Sequence, residues 1–180
     1  MENRKLLTSL KDHLPVILII ISAVLTRILP HPPNFAPITG IALFSGSQIK
    51  GINAFLLPLV IMFISDLLIS FHSTMIYVYG SFILIVLMAK LFKRNHSFVK
   101  LASISAASSV LFFLITNFGV WLSEDIYPKN LFGLEQSYVM GLPFFKNTLI
   151  GDLFYTFVLF YGFQFISLLI KRSEPAKKTA

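Results

Sequence analysis

The sequence predicts an all-α integral membrane protein with six transmembrane helices, the second of them short, and both termini cytoplasmic. Three observations carry this reading. Of 180 residues, 56% are hydrophobic and only 13% charged, against roughly a quarter charged in a soluble domain, and the mean hydropathy is +0.78. Fifteen of the nineteen phenylalanines fall in long apolar runs rather than at core-only spacing. Fifteen Lys and Arg residues collect at the ends of those runs, the placement of cytoplasmic anchors.

The elements follow in order. Residues 1–13 hold Arg4, Lys5 and Lys11 and form a cytoplasmic N-terminus. The run Leu14 to Leu29 comes next; it lacks a small-x-small cleavage site and contains Arg27, so it is a retained span rather than a signal peptide. PHPPNFAP, residues 30–37, has four prolines in eight positions and cannot be helix. Its prolines are expected to hold the loop extended while it presents His31 and Asn34. Pro37 to Ile49 would reach only about 20 Å as a helix, so length alone leaves it between a short span and a re-entrant segment. Longer runs follow at Ile52–Phe71, Met75–Phe92, Phe98–Leu122 and Thr148–Ile170.

Charge decides the short segment. If it crosses, twelve of the fifteen basic residues lie inside and only Arg27, Lys129 and Lys146 outside, as the positive-inside rule requires. Residues 14–170 are then one six-helix bundle and 171–180 a disordered basic tail. Ser123–Asn147 becomes a long outer connection, with Asn147 as cap of the sixth helix and Ser73 or Thr74 as cap of the fourth. The small-residue stretch ASISAASSV, 102–110, suits close helix packing. The net charge of +7 belongs to the membrane anchors and not to a nucleic-acid surface. With no cysteine, disulfides, thiolate metal sites and cysteine nucleophiles are excluded.

The strongly polar groups within the spans, Arg27, Asp66, Asn117 and Asp152, all fall in the outer half. A carboxylate at that depth costs several kcal/mol, about 3 on insertion scales, and is paired or water-exposed. With His31 and His72 at the same end, they predict a polar cavity open to the outside. The inner halves lack such groups, so no conduction path is expected. His31, Asn34, Asp66, His72, Asn117, Lys146 and Asp152 are candidate polar ligand contacts, and Tyr79, Trp121 and Tyr138 candidate stacking surface. Plainer roles stand beside these: Arg27 snorkelling or paired with Asp66, the histidines interfacial, Trp121 and the tyrosines an aromatic belt. His31, Asp66 and His72 are metal-ligand types without a characteristic spacing, so no metal or cofactor is assigned. Asp66 and Asp152 could serve an intramembrane hydrolase, but Gly-x-Gly-Asp, His-Glu-x-x-His and Gly-x-Ser-x-Gly contexts are all missing.

The stretches RILPHPPNFAPI, SDLLISFH, VYGSF, LFFLITNFGVWLS, YPK and PFFKNTLIGDLFY resemble a family of small bacterial six-span membrane proteins of the type of the S components of energy-coupling-factor (ECF) vitamin transporters. The resemblance covers roughly residues 20 to 162. It implies an S-component-like bundle in the bacterial inner membrane, with a vitamin or cofactor precursor held on the outer side by the outer loops and later spans. The solitary cobalamin transporters are the nearest functional model, and an ECF-type energising module is an implied partner beside the bilayer and the small-molecule substrate. Three departures stand out. There is no cysteine to ligate cobalt, the N-terminus MENRK lacks the histidine of nickel and cobalt S components, and Ser22-x-x-x-Thr26 replaces the Ala-x-x-x-Ala of the coupling interface. The expected function is outer-side capture and inward movement of a small molecule by a non-enzyme. A structural or assembly protein without ligand is the alternative, and a hydrolase the second.

Overall fold

The computed structural model describes residues 18–91 and 97–173, the last five by backbone alone. The N-terminal segment 1–13, the start of the first apolar run, Lys93, Arg94 and the tail from 174 lie outside the described residues. Among the described residues there are six helices and no strand: α1 Leu18–Ile28, α2 Ile38–Gln48, α3 Asn53–Ile69, α4 Met75–Leu91, α5 Phe98–Ser123 and α6 Leu131–Ser173. Two of them, α5 and α6, are long and apolar enough to cross a membrane.

Residues 30–37 are not extended. The Phe35 N–H donates to the Pro32 carbonyl at 3.0 Å and Asn34 has φ +64°. Proline followed by a positive-φ asparagine at the two central positions is the signature of a type II turn. The prolines therefore fold the chain back instead of stretching it. Phe35 drops onto α6, 5.5 Å from the Tyr155 ring and over Gly151, where an added Cβ would meet the Phe35 backbone at 3.1 Å.

The short α2 is the centre of the bundle, packing on α3, α4, α5 and α6. Small residues allow this. A Cβ on Gly46 would sit 2.6 Å from the Val86 carbonyl oxygen of α4, and one on Gly40 would sit 3.0 Å from the Thr156 amide nitrogen of α6. Pro58 lies inside α3 and cannot donate to the carbonyl four residues back, that of Ala54. Ser45 on α2 donates to that carbonyl at 2.8 Å instead, so the break in the backbone ladder is repaired across a helix interface.

The contacts fix relative direction. Tyr77 meets Phe118 and Phe82 meets Phe112, so α4 and α5 are antiparallel; Ser109 meets Asp152 and Ser105 meets Thr156, so α5 and α6 are too. Phe35 meets Tyr155 and Phe44 meets Phe160 and Phe163, so α2 and α6 run the same way. One end of the bundle, here the mouth, thus holds the start of α2, α4 and α6 and the end of α5.

The expected outer connection Ser123–Asn147 is a correction. Only a short loop follows α5, and α6 begins at Leu131 and continues unbroken for 43 residues, about 65 Å. Asn130, not Asn147, is its cap: the Asn130 side-chain oxygen accepts from the Gly133 N–H at 2.9 Å. The helix also runs through Ser173, taking in the first residues of the expected tail. Gly133, Gly141 and Pro143 look like loop punctuation, but both glycines are closely approached by neighbours, and at Gly133 the neighbour is backbone. A Cβ on Gly133 would strike the Pro128 carbonyl oxygen, and one on Gly141 the Asn117 side chain.

A core of Leu43, Ile61, Ile85 and Val86 is joined inside by small hydroxyl residues. Large apolar side chains such as Leu68, Ile76, Phe132 and Phe165 are exposed around the perimeter, while Ser45, Ser65, Ser81, Ser105, Ser108, Ser109 and Thr156 are sealed inside. ASISAASSV supplies three of these serines, so the expected close packing is what the stretch does.

Candidate functional site: a one-ended cavity above the short helix

At eleven residues α2 is about 17 Å long, whereas the 26-residue α5 is about 39 Å. Above Ile38 the chain is the Pro32–Phe35 turn, and no helix continues along the α2 axis. A cavity of about 510 Å³ occupies that space. Ile38, Thr39 and Asp152 line its deep end, Phe82, Phe112, Phe113, Phe144 and Phe145 its walls, and His31, Asn34, His72 and Tyr127 its mouth. Beneath it, Ala42, Ala54, Ile61, Ile85 and Val86 are fully buried against one another. No lining residue comes from the half of the bundle below Thr39, Phe82, Phe112 and Asp152, so the cavity does not run through to the other end.

Five of the ten candidate ligand residues line it: His31, Asn34, His72, Asn117 and Asp152. Their local settings differ. Asn34 is the positive-φ residue of the turn, so its conformation is one reason for its identity. His31 Nδ1 lies 2.7 Å from the Leu29 carbonyl and His72 Nδ1 2.8 Å from the Thr74 hydroxyl. Asn117 Nδ2 donates to the Phe113 carbonyl at 2.8 Å, which aims its other edge at α6.

The other five are not in the wall. Asp66 is 2% exposed and pairs with Arg27 Nη2 at 2.9 Å. Tyr79 donates its hydroxyl to the second Asp66 oxygen at 2.7 Å, so its phenol braces the acid and is not a stacking face. Arg27 also meets the Ser65 hydroxyl and the Met62 sulfur at 3.0 Å. Trp121 donates to the Pro128 carbonyl at 2.9 Å and Lys129 reaches the Trp121 carbonyl at 2.6 Å, together locking the turn between α5 and α6. Tyr138 bonds the Leu114 carbonyl at 3.0 Å, stitching α6 to α5. Lys146 is exposed. The trio His31, Asp66 and His72 does not converge: among the described residues no three His, Cys, Asp or Glu side chains come together as a metal site.

Several wall residues escaped the sequence reading, among them Thr39, Thr116, Tyr127, Ser137 and Thr148. A signal for part of this set existed. Ser137, Gly141, Phe145, Thr148 and Asp152 recur every three or four residues, one face of a helix, but only if α6 is known to start before residue 147.

Asp152 sits opposite Ser109, fourteen residues or about 20 Å below the mouth end of α5 at Ser123. It is 2% exposed. Ser109 donates to its Oδ2 at 2.7 Å and the Thr39 side chain lies beside it. Among the described residues no cation faces it, in contrast to Asp66.

A family model described as a family of unknown function, DUF6580, matches residues 8–176. The chain belongs to that family. No curated protein and no solved structure matches it. For this DUF6580 member the chemistry therefore rests on the site itself: an aromatic-walled chamber whose one arginine, Arg27, is matched by Asp66 behind the wall, and whose one acid, Asp152, is met at the deep end by the Ser109 hydroxyl.

Proposed function

We propose that this DUF6580 protein is a multi-pass uptake protein of the bacterial inner membrane. It captures a small molecule, a vitamin or cofactor precursor, from the outer side. The observation that carries the reading is the one-ended cavity, polar at mouth and floor, aromatic between, and sealed beneath by packed aliphatic side chains. Pockets of about 300–1,000 Å³ with a few placed polar groups are the usual form of a small-molecule site. Six spans with both termini inside agree with the charge asymmetry and with the alternating directions of α2 to α6. The perimeter of exposed Leu, Ile and Phe suits lipid, and the small buried hydroxyl residues suit helix contacts in lipid.

The sealed base makes this a binding chamber and not a pore, so inward release requires rocking of the bundle or docking to an ECF-type module. That is the arrangement the S-component resemblance implies. The volume favours a compact vitamin over an intact cobalamin, whose macrocycle and nucleotide loop exceed it. The ligand-free structural reading draws on one observation: no buried side-chain polar atom among the described residues lacks a partner. The hydrolase reading loses ground, because Asp66 is tied to Arg27 and Tyr79 and does not share the Asp152 cavity.

Thermal unfolding of the purified protein against a panel of water-soluble vitamins and precursors separates these. A ligand at a hundredfold its Kd adds about 2.7 kcal/mol, roughly 5–10 °C for a chain of this length. The expected result is one such shift, abolished by Thr116→Trp, which fills the chamber from a wall position whose hydroxyl bonds only its own helix. An unshifted panel favours the structural role.

A further inference from the structure

We infer that the ligand carries a cationic nitrogen and that Asp152 is the group that receives it. This rests on the capture reading above and names its substrate class. The argument is one of charge and shape in the same chamber. The wall contains one fixed cation, Arg27, and that guanidinium is already matched at 2.9 Å by Asp66. The pair contributes polarity without net charge. Asp152 is the one acid in the wall, and among the described residues it has no cationic partner.

A carboxylate offers about four acceptor positions. Ser109 occupies one of them from α5, with Thr39 of α2 alongside, leaving capacity for a donor arriving from the cavity that Asp152 lines. The first turn of α2, whose Ile38 and Thr39 share the deep end, brings at most about half a unit of positive charge. The deep end is thus net negative by about half a charge when Asp152 is ionised. A buried acid left in this state is expensive at mid-membrane depth, and a ligand cation lowers that cost on arrival.

The shape of the chamber selects the kind of cation. A bare metal ion requires several oxygen ligands converging at short range, and no such cluster of acids or histidines exists among the described residues. Instead, phenylalanines 112, 113, 144 and 145 line the chamber with Phe82 and Tyr127. Aromatic faces attract organic ammonium and protonated heteroaromatic nitrogens, and their planes suit a flat, partly apolar body. An acid at the base of an aromatic chamber fits an organic cation.

Three probes of matched shape test this at millimolar concentration by thermal shift of the full-length protein in detergent: phenethylamine, 2-phenylethanol and phenylacetate. Phenethylamine is expected to raise Tm, phenylacetate to leave it unchanged, and the alcohol to act at least tenfold more weakly than the amine. Asp152→Asn keeps an acceptor for Ser109 and Thr39, so its ligand-free Tm should stay within a few degrees of wild type while the phenethylamine shift is lost. The inference is overturned if phenylacetate or the alcohol matches the amine, if Asp152→Asn retains the amine shift, if sodium chloride alone reproduces it against an equal concentration of potassium chloride, or if no probe shifts Tm. Failure here with a positive vitamin panel leaves capture standing and removes only the cationic class. A vitamin panel that also fails removes both.

Discussion

At the scale of single residues, the two buried acids were visible in the sequence but their difference was not. An aspartate inside an apolar run announces itself by the cost of putting it there, which marks Asp66 and Asp152 alike. Which of them is neutralised depends on what a distant helix brings near. Arg27 lies 39 positions before Asp66, and only the packing of α1 on α3 turns a snorkelling candidate into an ion pair. Removing one partner of a buried pair costs about 3–5 kcal/mol, whereas replacing both by apolar groups is often nearly neutral. Arg27→Met and Asp66→Leu should therefore each lower Tm strongly, and the double variant should recover most of the loss. Thermal unfolding of the four proteins gives the coupling directly; additive losses would mean the pair is not what holds α1 to α3. Tyr79→Phe, which removes only the brace on Asp66, should cost about 1 kcal/mol.

Helices were legible where hydropathy was continuous and misread where a special residue was taken for an end. All six helices lie within or overlap the apolar runs, and the short α2 is real. The early part of α6 was missed because Gly133, Gly141 and Pro143 are turn residues in isolation, and the need for glycine at 133 comes from the Pro128 backbone. The same contacts give a prediction that sequence alone would not rank. Gly46→Ala places a Cβ against the α4 backbone at 2.6 Å, while Gly80→Ala meets nothing within 4 Å. The first should destabilise by about 1–3 kcal/mol, as overpacking does. The second should be neutral or stabilise by about 0.5–1 kcal/mol through the helix preference for alanine. Equal effects on Tm would contradict the close approach of α2 to α4. Asn130→Ala should cost about 1 kcal/mol and fray the start of α6, read as faster amide exchange confined to residues 131–137.

For the whole molecule, the cavity exists because its central helix is too short to fill the bundle, and that too was only half legible. The sequence shows thirteen residues where a span needs about twenty, yet not that α2 sits in the middle or that the missing length lies at the mouth. The chain has no cysteine, so single-cysteine reporters are unambiguous. In intact cells a membrane-impermeant maleimide should label Asp125→Cys and spare Ile52→Cys, both exposed in the fold and at opposite ends of it. The reverse pattern would put the cavity on the cytoplasmic side. The central claim, that this chamber holds a small molecule, is tested most directly by native mass spectrometry of the protein released intact from detergent. The account predicts a discrete added mass on the wild-type protein, absent from Thr116→Trp; a wild-type protein that is bare after exposure to the vitamin panel, or a variant that carries the same added mass, would contradict it.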